Sequence, residues 1–448
     1  METMIMEIDE CPTKIFDLPD DCLGKIFDYL PGHHMTKKFA SICKRFAQIY
    51  CDNYKHKLIL EGCDLTVLDK YKIGIFGEFI DEDFFPLKNL KTLKLNKVSA
   101  KSFTPKFLNS IRRDHHGIEV VELTGFTDNE VEHLLPLPNV KSLKLSLCDV
   151  SGEYMEGFRK LEELILDSTS KFHSVFLLKI VKNNNLRKLI VRGSPFALTP
   201  HYVDKIIPFI NNIEELECSW YEISFCCGVI GKLPHLKTLI LNNFKTTLCI
   251  RCQKLDNGEL RLPTSPFWVC KCGPYDALPL FTGLYEKNIL ERLTFIGSRI
   301  TQRDISHIGK LKRLKKIHIG MDKVPVFISL EGFHCMRDLE ELDIGYSYKL
   351  PTEVLGLLEN CQNLKFINIG NCRGYTKGFL YRVIDIIKER GVPDEEPVKI
   401  QLVNPRMSRS LLMHPDIVAA SNIVSFEIFR AYDSFCRFHS RPPVFYIC

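Results

Sequence analysis

The amino-acid sequence predicts an α/β chain in which a short pair of N-terminal helices precedes a long array of repeats. Apolar residues recur at three- and four-residue spacing over 16–50, which is typical of amphipathic helices. From Leu90 to Leu364, an apolar pattern of the form Leu-x-x-Leu-x-Leu returns at nearly constant intervals. Stretches with helical periodicity lie between these patterns, so strands and helices alternate. At 448 residues, the chain favours several domains or one repeat array over a single core.

The stretch 16–50 predicts a helical hairpin. Pro19 suits a first helical turn, and Asp20 and Asp21 suit the positive end of the helix dipole. Pro31-Gly32 ends this helix, and a second apolar pattern restarts near Thr36. Helices this short are stabilised mainly by packing, so we expect the hairpin to complete its core against a partner or the rest of the chain.

The hairpin resembles the F-box, a module that docks a Skp1-type adaptor and so joins a cullin-RING ubiquitin ligase. The resemblance is carried by Leu18-Pro19-Asp20-Asp21, Leu23, Ile26-Phe27, Tyr29-Leu30 and Cys43-Lys44-Arg45-Phe46. His34 departs from it, since the family usually has an acidic residue there, and Met35-Thr36 replaces a Leu-containing pair. The resemblance implies an adaptor-binding face drawn from Leu18, Pro19, Ile26, Phe27, Leu30 and Phe46. The alternative is a hairpin that only caps the repeats.

The repeats share one register over eleven anchor residues, and all but one of their spacings lie between 21 and 28 residues. The anchors are Leu90, Ile118, Val140, Leu161, Leu186, Ile213, Leu236, Leu290, Leu314, Leu339 and Leu364. With Cys148 and Cys372 shortly after two of the patterns, the array resembles the cysteine-containing leucine-rich repeats that often follow an F-box. We therefore expect a solenoid with a parallel sheet on its concave side and helices on its convex side.

These patterns predict four segments: a flexible N-terminus over 1–14, an F-box over 15–57, a leucine-rich-repeat solenoid over 58–403, and a cap and tail over 404–448. Leu58-Ile59-Leu60 predicts the first strand, and alternating apolar residues from Val398 and from Val424 predict closing strands. Thr199-Pro200 and Thr301 with Asp304 predict helix starts. The tail either covers the concave face or forms a simple end cap.

The one long spacing, 54 residues between Leu236 and Leu290, predicts an irregular insert at about 245–285. Two close cysteine pairs lie in it, with seventeen residues between them, as structural zinc sites have. The Cys-x-Cys spacing of the second pair departs from the usual one, and an insert without metal is the alternative. The candidate zinc ligands are Cys249, Cys252, Cys270 and Cys272. No other cofactor is required by the sequence.

The residue between the two apolar positions of each Leu-x-Leu strand is expected to face the concave side. We expect a protein substrate to bind there, through isoleucines that face solvent, charged residues and aromatic residues just past the strands. β-propensity alone is the other explanation for isoleucine in a strand. The candidate substrate-binding residues are Ile165, Ile190, Arg192, Glu217, Trp220, Ile240, His318 and Asp343.

Composition and motif content argue against several classes of function. The net charge of +5 is mild, and charges of both signs alternate along the expected face, so nucleic acid is not favoured. No catalytic or nucleotide-binding motif is found, which predicts a non-catalytic protein. The N-terminus does not resemble a secretory signal, and the chain has no long apolar run, so we expect a cytoplasmic or nuclear protein whose 18 cysteines are core residues or metal ligands.

Together these expectations describe a substrate-recognition subunit of an SCF-type ubiquitin ligase, with a Skp1-type adaptor, a cullin and a protein substrate as its partners. An interaction scaffold with leucine-rich repeats but without ubiquitin transfer is the main alternative. A nucleic-acid-binding protein that uses the insert and the basic residues at 312–316 is a third.

Overall fold

The computed structural model describes residues 15, 18–29, 45, 57–60, 90–97, 105–223, 226–242, 277–296, 300–320, 329–344, 350–369, 376–391, 397–403 and 412–429. The chain divides into two compact units, Met1–Leu161 and Glu162–Cys448. This division does not follow the expected boundary between F-box and solenoid, because the first unit holds the N-terminal helix together with the first strands. None of the helices in these ranges combines the length and the apolar character that a bilayer crossing requires.

The first unit contains three α-helices, one 3₁₀ turn and four strands within the described ranges. The helices are α1 (Asp20–Tyr29), α2 (Pro105–Asp114) and α3 (Asp128–Leu134), and the 3₁₀ turn is Glu153–Met155. The strands are β1 (Lys57–Leu60), β2 (Thr92–Asn96), β3 (Val120–Thr124) and β4 (Ser142–Ser146). They pair in parallel and in chain order, from β1 to β4. The predicted first strand at Leu58–Leu60 is thus confirmed.

The second unit continues the same alternation of strands and helices. Its strands are β5 (Glu163–Asp167), β6 (Lys188–Arg192), β7 (Glu215–Ser219), β8 (Thr238–Asn242), β9 (Arg292–Ile296), β10 (Lys316–Gly320), β11 (Glu341–Ile344), β12 (Phe366–Ile369), β13 (Val398–Val403) and β14 (Val424–Phe429). Each strand pairs in parallel with the next one along the chain. Both predicted closing strands, β13 and β14, are confirmed.

The helices of the second unit connect these strands. They are α4 (Ser174–Asn183), α5 (Pro200–Ile206), α6 (Trp220–Ile223), α7 (Cys227–Ile230), α8 (Leu278–Lys287), α9 (Gln302–Ile308), α10 (Pro351–Asn360), α11 (Lys377–Arg390) and α12 (Pro415–Ala419), with 3₁₀ turns at Ile207–Phe209 and Glu331–Phe333. Parallel strands joined by helices or turns of this length form the α/β solenoid of leucine-rich repeats, as the sequence predicts.

Buried and half-buried residues alternate along several of the strands. In β2, β3 and β4 the second and fourth residues are buried and their neighbours are half-buried. The same pattern recurs in β5 and β10. Leucine, isoleucine and valine at the buried positions form the core, where each side chain removed from water contributes roughly 1.5–3 kcal/mol. The two apolar residues of the Leu-x-Leu pattern therefore form the buried face of these five strands.

Two predicted helix starts have different chemistry. At α9, the Thr301 amide donates to Asp304 Oδ2 at 2.8 Å and the Asp304 amide donates to Thr301 Oγ1 at 3.3 Å, so the predicted capping arrangement is confirmed. At α5, Thr199 is the N-cap residue and Pro200 follows it, but Thr199 makes no capping hydrogen bond. Its Oγ1 lies 2.9 Å from Ser174 Oγ instead, which links the starts of two neighbouring helices.

The long spacing before Leu290 is partly regular. Strands β8 and β9 pair directly and in register, from Thr238 with Arg292 to Asn242 with Ile296. Helix α8 occupies Leu278–Lys287, so the end of the predicted irregular insert is helical, which corrects that part of the prediction. The zinc prediction at Cys249–Cys272 lies outside the described residues. Within those residues, no group of three or more His, Cys, Asp or Glu side chains could hold a metal ion.

The described cysteines follow the expectation of core residues. Five of the seven are buried, and none of the seven forms a disulfide. Burial raises the pKa of the Cys148 and Cys361 thiols to about 11 and that of Cys226 to about 12. These thiols are therefore protonated at neutral pH and behave as small apolar side chains.

Candidate functional site

Helix α1 begins with acidic residues and a turn anchored on Pro19. The Pro19 carbonyl accepts hydrogen bonds from the Cys22 amide at 3.0 Å and the Leu23 amide at 3.1 Å. Asp20 and Asp21 occupy the first turn, where the helix dipole favours negative charge. Leu23 is 1% exposed and gives the helix its inner face.

Arg45 ties the start of this helix to a later part of the chain. Its Nε donates to Asp20 Oδ1 at 2.8 Å, and its Nη2 donates to the Leu18 carbonyl at 2.6 Å. The Asp20 and Arg45 side chains are 67% and 41% exposed, so the ion pair contributes little to stability and serves mainly to fix geometry. The two parts of the predicted hairpin are held together at this point.

The predicted adaptor-binding residues are only partly described. Leu18 and Ile26 are half-buried and Pro19 is exposed. The side chains of Phe27, Leu30 and Phe46 lie outside the described residues. Tyr29, at the end of α1, is 88% exposed. The predicted adaptor-binding residues do not include Tyr29, although Tyr29-Leu30 is part of the F-box resemblance.

The expected face of the repeats forms one continuous row in each unit, which we name the central row. In the first unit it pairs Lys94 with Glu122 and Glu122 with Lys144. In the second unit each residue is the register partner of the next: Ile165, Ile190, Glu217, Ile240, Thr294, His318, Asp343, Asn368, Gln401 and Glu427. The predicted alignment is confirmed, and Gln401 and Glu427 extend it by two strands.

The Arg192 guanidinium and the Glu217 carboxylate form a bidentate pair on this face. Their side chains are 16% and 3% exposed, and Asn242 Nδ2 donates to Glu217 Oε1 at 2.5 Å. Burial lowers the pKa of Arg192, but the hydrogen bond and charge of Glu217 outweigh it and raise that pKa overall. Both residues were predicted as ligand-facing charges. They satisfy each other instead, which corrects the prediction that Glu217 faces solvent.

The three isoleucines of the row differ in exposure. Ile165 and Ile240 are half-buried, but Ile190 is 4% exposed, so the prediction of a solvent-facing side chain is wrong there. Its register partners, Ile165 and Glu217, carry large side chains that flank it on both sides. Two of the three isoleucines therefore contribute accessible apolar surface.

Trp220 was predicted as an aromatic anchor in a loop past β7. It is instead the first residue of α6 and is 8% exposed. Its ring lies 6.2 Å from that of Phe295, and Phe295 lies 5.9 Å from Phe281. The short helix directs the indole toward the core, where it joins an aromatic cluster. This corrects the expectation of an exposed anchor.

The later part of the central row is polar. His318 Nδ1 lies 2.9 Å from Asp343 Oδ2, with side-chain exposures of 28% and 17%. Asn368 is 6% exposed, and Gln401 Nε2 donates to Glu427 Oε2 at 2.8 Å. In the second unit, the row thus has two accessible isoleucines, Ile165 and Ile240, with a buried ion pair between them, and a hydrogen-bonding segment from His318 onward.

Glu222 of α6 is a buried carboxyl that sequence reasoning missed. It is 5% exposed, and the Ser219 amide donates to its Oε2 at 3.0 Å. Burial raises its pKa to about 8, and this hydrogen bond only partly opposes the shift. No periodicity in so short a helix could have identified the residue as buried.

Comparison with known proteins identifies the N-terminal module. Residues 15–57 match the F-box domain family. The sequence comparison with curated proteins gives no match.

The solved structures that resemble the chain include the following two. A leucine-rich-repeat protein of Leptospira interrogans has 16% identity and a TM-score of 0.39, over 78% of this chain and 86% of that one. An internalin of Listeria monocytogenes has 14% identity and a TM-score of 0.38, over 92% and 94% respectively. Both TM-scores lie below 0.5, so the repeat fold rests on the strand pairing of this chain itself.

Proposed function

We propose that this chain, an F-box protein with leucine-rich repeats, is the substrate-recognition subunit of an SCF-type E3 ubiquitin ligase. The observation that carries the proposal is the F-box match over 15–57, where Arg45 fixes the start of α1. The F-box binds a Skp1-type adaptor and through it a cullin. The repeats hold a protein substrate. We place the protein in the cytoplasm or the nucleus.

The chain performs no bond-making chemistry in this proposal. Holding a substrate beside a charged ubiquitin-conjugating enzyme raises its effective concentration, which by itself accelerates transfer. Leu18, Pro19 and Ile26, with Phe27, Leu30 and Phe46, are the proposed adaptor face. Tyr29 joins this set, because a tyrosine this exposed is a typical interface anchor.

The central row of the second unit is the proposed substrate surface. Ile165 and Ile240 supply apolar contact, and His318 and Asp343 supply polar contact. The Arg192–Glu217 pair lies on the two strands between those of Ile165 and Ile240. Because its two charges satisfy each other, it supports the surface and does not offer free charges to the ligand. A leucine-rich-repeat scaffold without ubiquitin transfer would use the same repeat surface but would not recruit a cullin.

Co-expression with a Skp1-type adaptor, followed by size-exclusion chromatography, tests the proposal. We expect a soluble one-to-one complex that Leu18→Ala/Pro19→Ala disrupts. Met413→Ala, a substitution at a residue 77% exposed in the second unit, serves as the control and keeps the complex. Addition of a cullin then separates the alternatives: recruitment supports the ligase subunit, whereas an adaptor complex that excludes the cullin supports the scaffold. A wild-type chain that stays monomeric and well folded without the adaptor contradicts the ligase subunit and favours the scaffold.

A further inference from the structure

Two neighbouring helices of the second unit, α4 and α5, carry lysines that lie against aromatic rings. Lys179 Nζ lies 5.2 Å from the centre of the Phe176 ring, and Lys182 Nζ lies 5.2 Å from that of Phe209. On α5, the Lys205 Nζ lies 5.0 Å from the centre of the neighbouring tyrosine ring. Each distance is within the range of a cation–π contact. We name this surface the lysine–aromatic face, which consists of Phe176, Lys179, Lys182, Tyr202, Lys205 and Phe209.

Contacts between the two helices make this face continuous. Lys182 belongs to the last turn of α4, whereas Phe209 follows α5 in a 3₁₀ turn, so their contact joins the two elements. At the other end of α4, Ser174 Oγ lies 2.9 Å from Oγ1 of Thr199, the N-cap residue of α5. The ten residues of α4 give the face a length of about 15 Å. A segment of about five residues in extended form covers that length.

The face points away from the core and from the central row. The inward side chains of the two helices, Leu177 and Val203 among them, are buried in the core. The helices therefore cover the buried side of the sheet, whereas the residues of the central row lie on its other side. Lys182 and Lys205 are exposed, so a partner can reach the face from solvent.

The charge of this part of the chain is strongly positive. Between positions 171 and 213 the sequence has seven lysines and arginines but one acidic residue, Asp204. Three of the seven, Arg187, Lys188 and Arg192, form ion pairs with glutamates in or next to β7. The other four are lysines that precede or belong to the two helices. Charge complementarity therefore calls for a partner with negative charge.

Exposed apolar side chains lie at both ends of α4. The Phe196 ring, 51% exposed, lies 6.0 Å from that of His173, the N-cap residue of the helix. Phe209, 43% exposed, lies at the other end beside Lys182. Phenyl rings form no conventional hydrogen bonds, so a partner that covers them has to supply apolar groups of its own.

The position of the lysines distinguishes between the classes of anionic partner. Aromatic residues of a membrane anchor lie deeper than its basic residues, whereas the lysines here lie over the rings. Single-stranded nucleic acid stacks its bases on aromatic faces, and each of these three rings already has a lysine over it. Carboxylates of a protein segment can bind the ammonium groups where they are, through charge-assisted hydrogen bonds.

We infer that the lysine–aromatic face binds an acidic segment of a partner protein. Glutamate or aspartate residues of that segment contact the lysines, and an apolar residue packs against Phe196 or Phe209. The inference goes beyond the proposed function and does not depend on it, because no residue of the F-box match or of the central row belongs to this face.

A peptide array tests the inference. The probes are synthetic twelve-residue peptides in which three glutamates and one leucine occupy varied positions among glycine and serine. Matched series carry glutamine in place of glutamate, or alanine in place of leucine. The full-length chain is the analyte, and affinities are measured by fluorescence polarisation. Vesicles of equimolar phosphatidylcholine and phosphatidylserine, in co-sedimentation, and a single-stranded polyuridine RNA represent the other anionic classes.

We expect the glutamate–leucine series to bind at least about tenfold more tightly than either matched series. Lys182→Gln/Lys205→Gln should abolish the preference for glutamate. Lys310→Gln/Lys312→Gln removes the same charge at exposed lysines between α9 and β10, and as the matched control it should preserve the preference. The charge reversal Lys182→Glu/Lys205→Glu should favour peptides with lysine in place of glutamate. The comparison of peptides on the wild-type chain keeps the test informative even where a variant folds poorly.

Binding that does not distinguish the glutamate–leucine series from both matched series, or no binding by any series, overturns the inference. Tighter binding of the vesicles or the RNA than of any peptide also overturns it, because the partner would then belong to another class. Loss of the preference in Lys310→Gln/Lys312→Gln has the same consequence, since the effect would then follow from net charge alone. The proposed function fails differently, namely through the absence of a complex with the adaptor.

Discussion

Glu222 lies in the core beside Ser219, and burial has the largest effect on its pKa. In the folded chain the pKa is raised to about 8 from an ordinary value of 4.5. The folded state therefore holds a proton at neutral pH that the unfolded state has released. Between these two pH values the native state binds more protons than the unfolded state. The contribution of Glu222 to the free energy of unfolding is therefore fully present below pH 4.5 and is lost as the pH rises through 8.

Replacing Glu222 by glutamine should remove this pH dependence. For one proton the decline is at most about 1.4 kcal/mol per pH unit. We expect Glu222→Gln to match or exceed the wild type in thermal midpoint at pH 8 and to lose the downward slope between pH 5 and pH 8. Thermal unfolding followed by circular dichroism measures the midpoint at each pH, with Glu359→Gln as a control at an exposed carboxylate. Parallel profiles for Glu222→Gln and wild type would show that the proton is not held in the fold.

Arg192 and Glu217 should be far more sensitive to single than to double substitution. Arg192→Ala leaves the Glu217 carboxylate buried without its cation, and we expect a loss of about 3–5 kcal/mol in the free energy of unfolding. A double variant with methionine at 192 and leucine at 217 should recover most of that loss. Urea unfolding of Arg192→Met, Glu217→Leu and the double variant that combines them forms the cycle. Additive losses would rule out a coupled pair.

The same pair illustrates what residue patterns can and cannot predict. Alternation placed Glu217 on the outer side of its strand, and the register confirms that position. Its burial depends on a guanidinium that comes from β6 and on Asn242 from β8. Such partners come from other strands, and a single sequence does not specify how their side chains turn.

Elements with strong periodicity were predicted well, and short ones were missed. Strands such as β2–β5 and β10 were found because they bury two residues at a spacing of two. Helix α3 carries a recognisable signal, since Thr127 precedes it and the Thr127 amide donates to Glu130 Oε2 at 3.0 Å. Helices α6 and α7 have four residues each, too few to display a helical period. For this reason, the sequence predicts a loop at Trp220 where the structure has helix α6.

Gly309, at the end of α9, should tolerate no side chain. A Cβ atom there would lie 1.8 Å from the Gly332 carbonyl oxygen, although the backbone itself has ordinary helical angles. We expect Gly309→Ala to lower the free energy of unfolding by about 1–3 kcal/mol, the range for overpacking. Gly378→Ala on α11 is the matched control, because its Cβ would meet only Thr376 Oγ1 at 3.6 Å. Equal unfolding midpoints in urea for both variants would contradict the close packing.

At the scale of the whole molecule, the repeat pattern was enough to predict the parallel sheet, and the hairpin pattern predicted α1, whereas the predicted second helix of the hairpin lies outside the described residues except at Arg45. The hairpin signal spans about 35 residues and the repeat signal spans most of the chain. The division between Leu161 and Glu162 was not predicted, because the anchor spacing is regular across it, at 21 and then 25 residues. The zinc site at Cys249–Cys272 remains a prediction.

The two proposed surfaces should fail independently. Ile165→Lys/Ile240→Lys places charges in the apolar part of the central row, so we expect weaker capture of cellular proteins with full adaptor binding. Leu18→Ala/Pro19→Ala should do the opposite. Quantitative mass spectrometry of material purified from proteasome-inhibited cells measures both. If both properties fell together in either variant, the surfaces would not be separate modules.

The direct pairing of β8 with β9 has a consequence for how this protein can be altered. Forty-nine residues separate Asn242 from Arg292, about twice the connection between most neighbouring strands, yet the ladder keeps its register. Doubling the length of a flexible connection costs only about 0.6 kcal/mol in closure entropy. Natural variation or a cloned reporter could therefore lengthen the chain between these two strands, and the repeats on either side would keep their alignment.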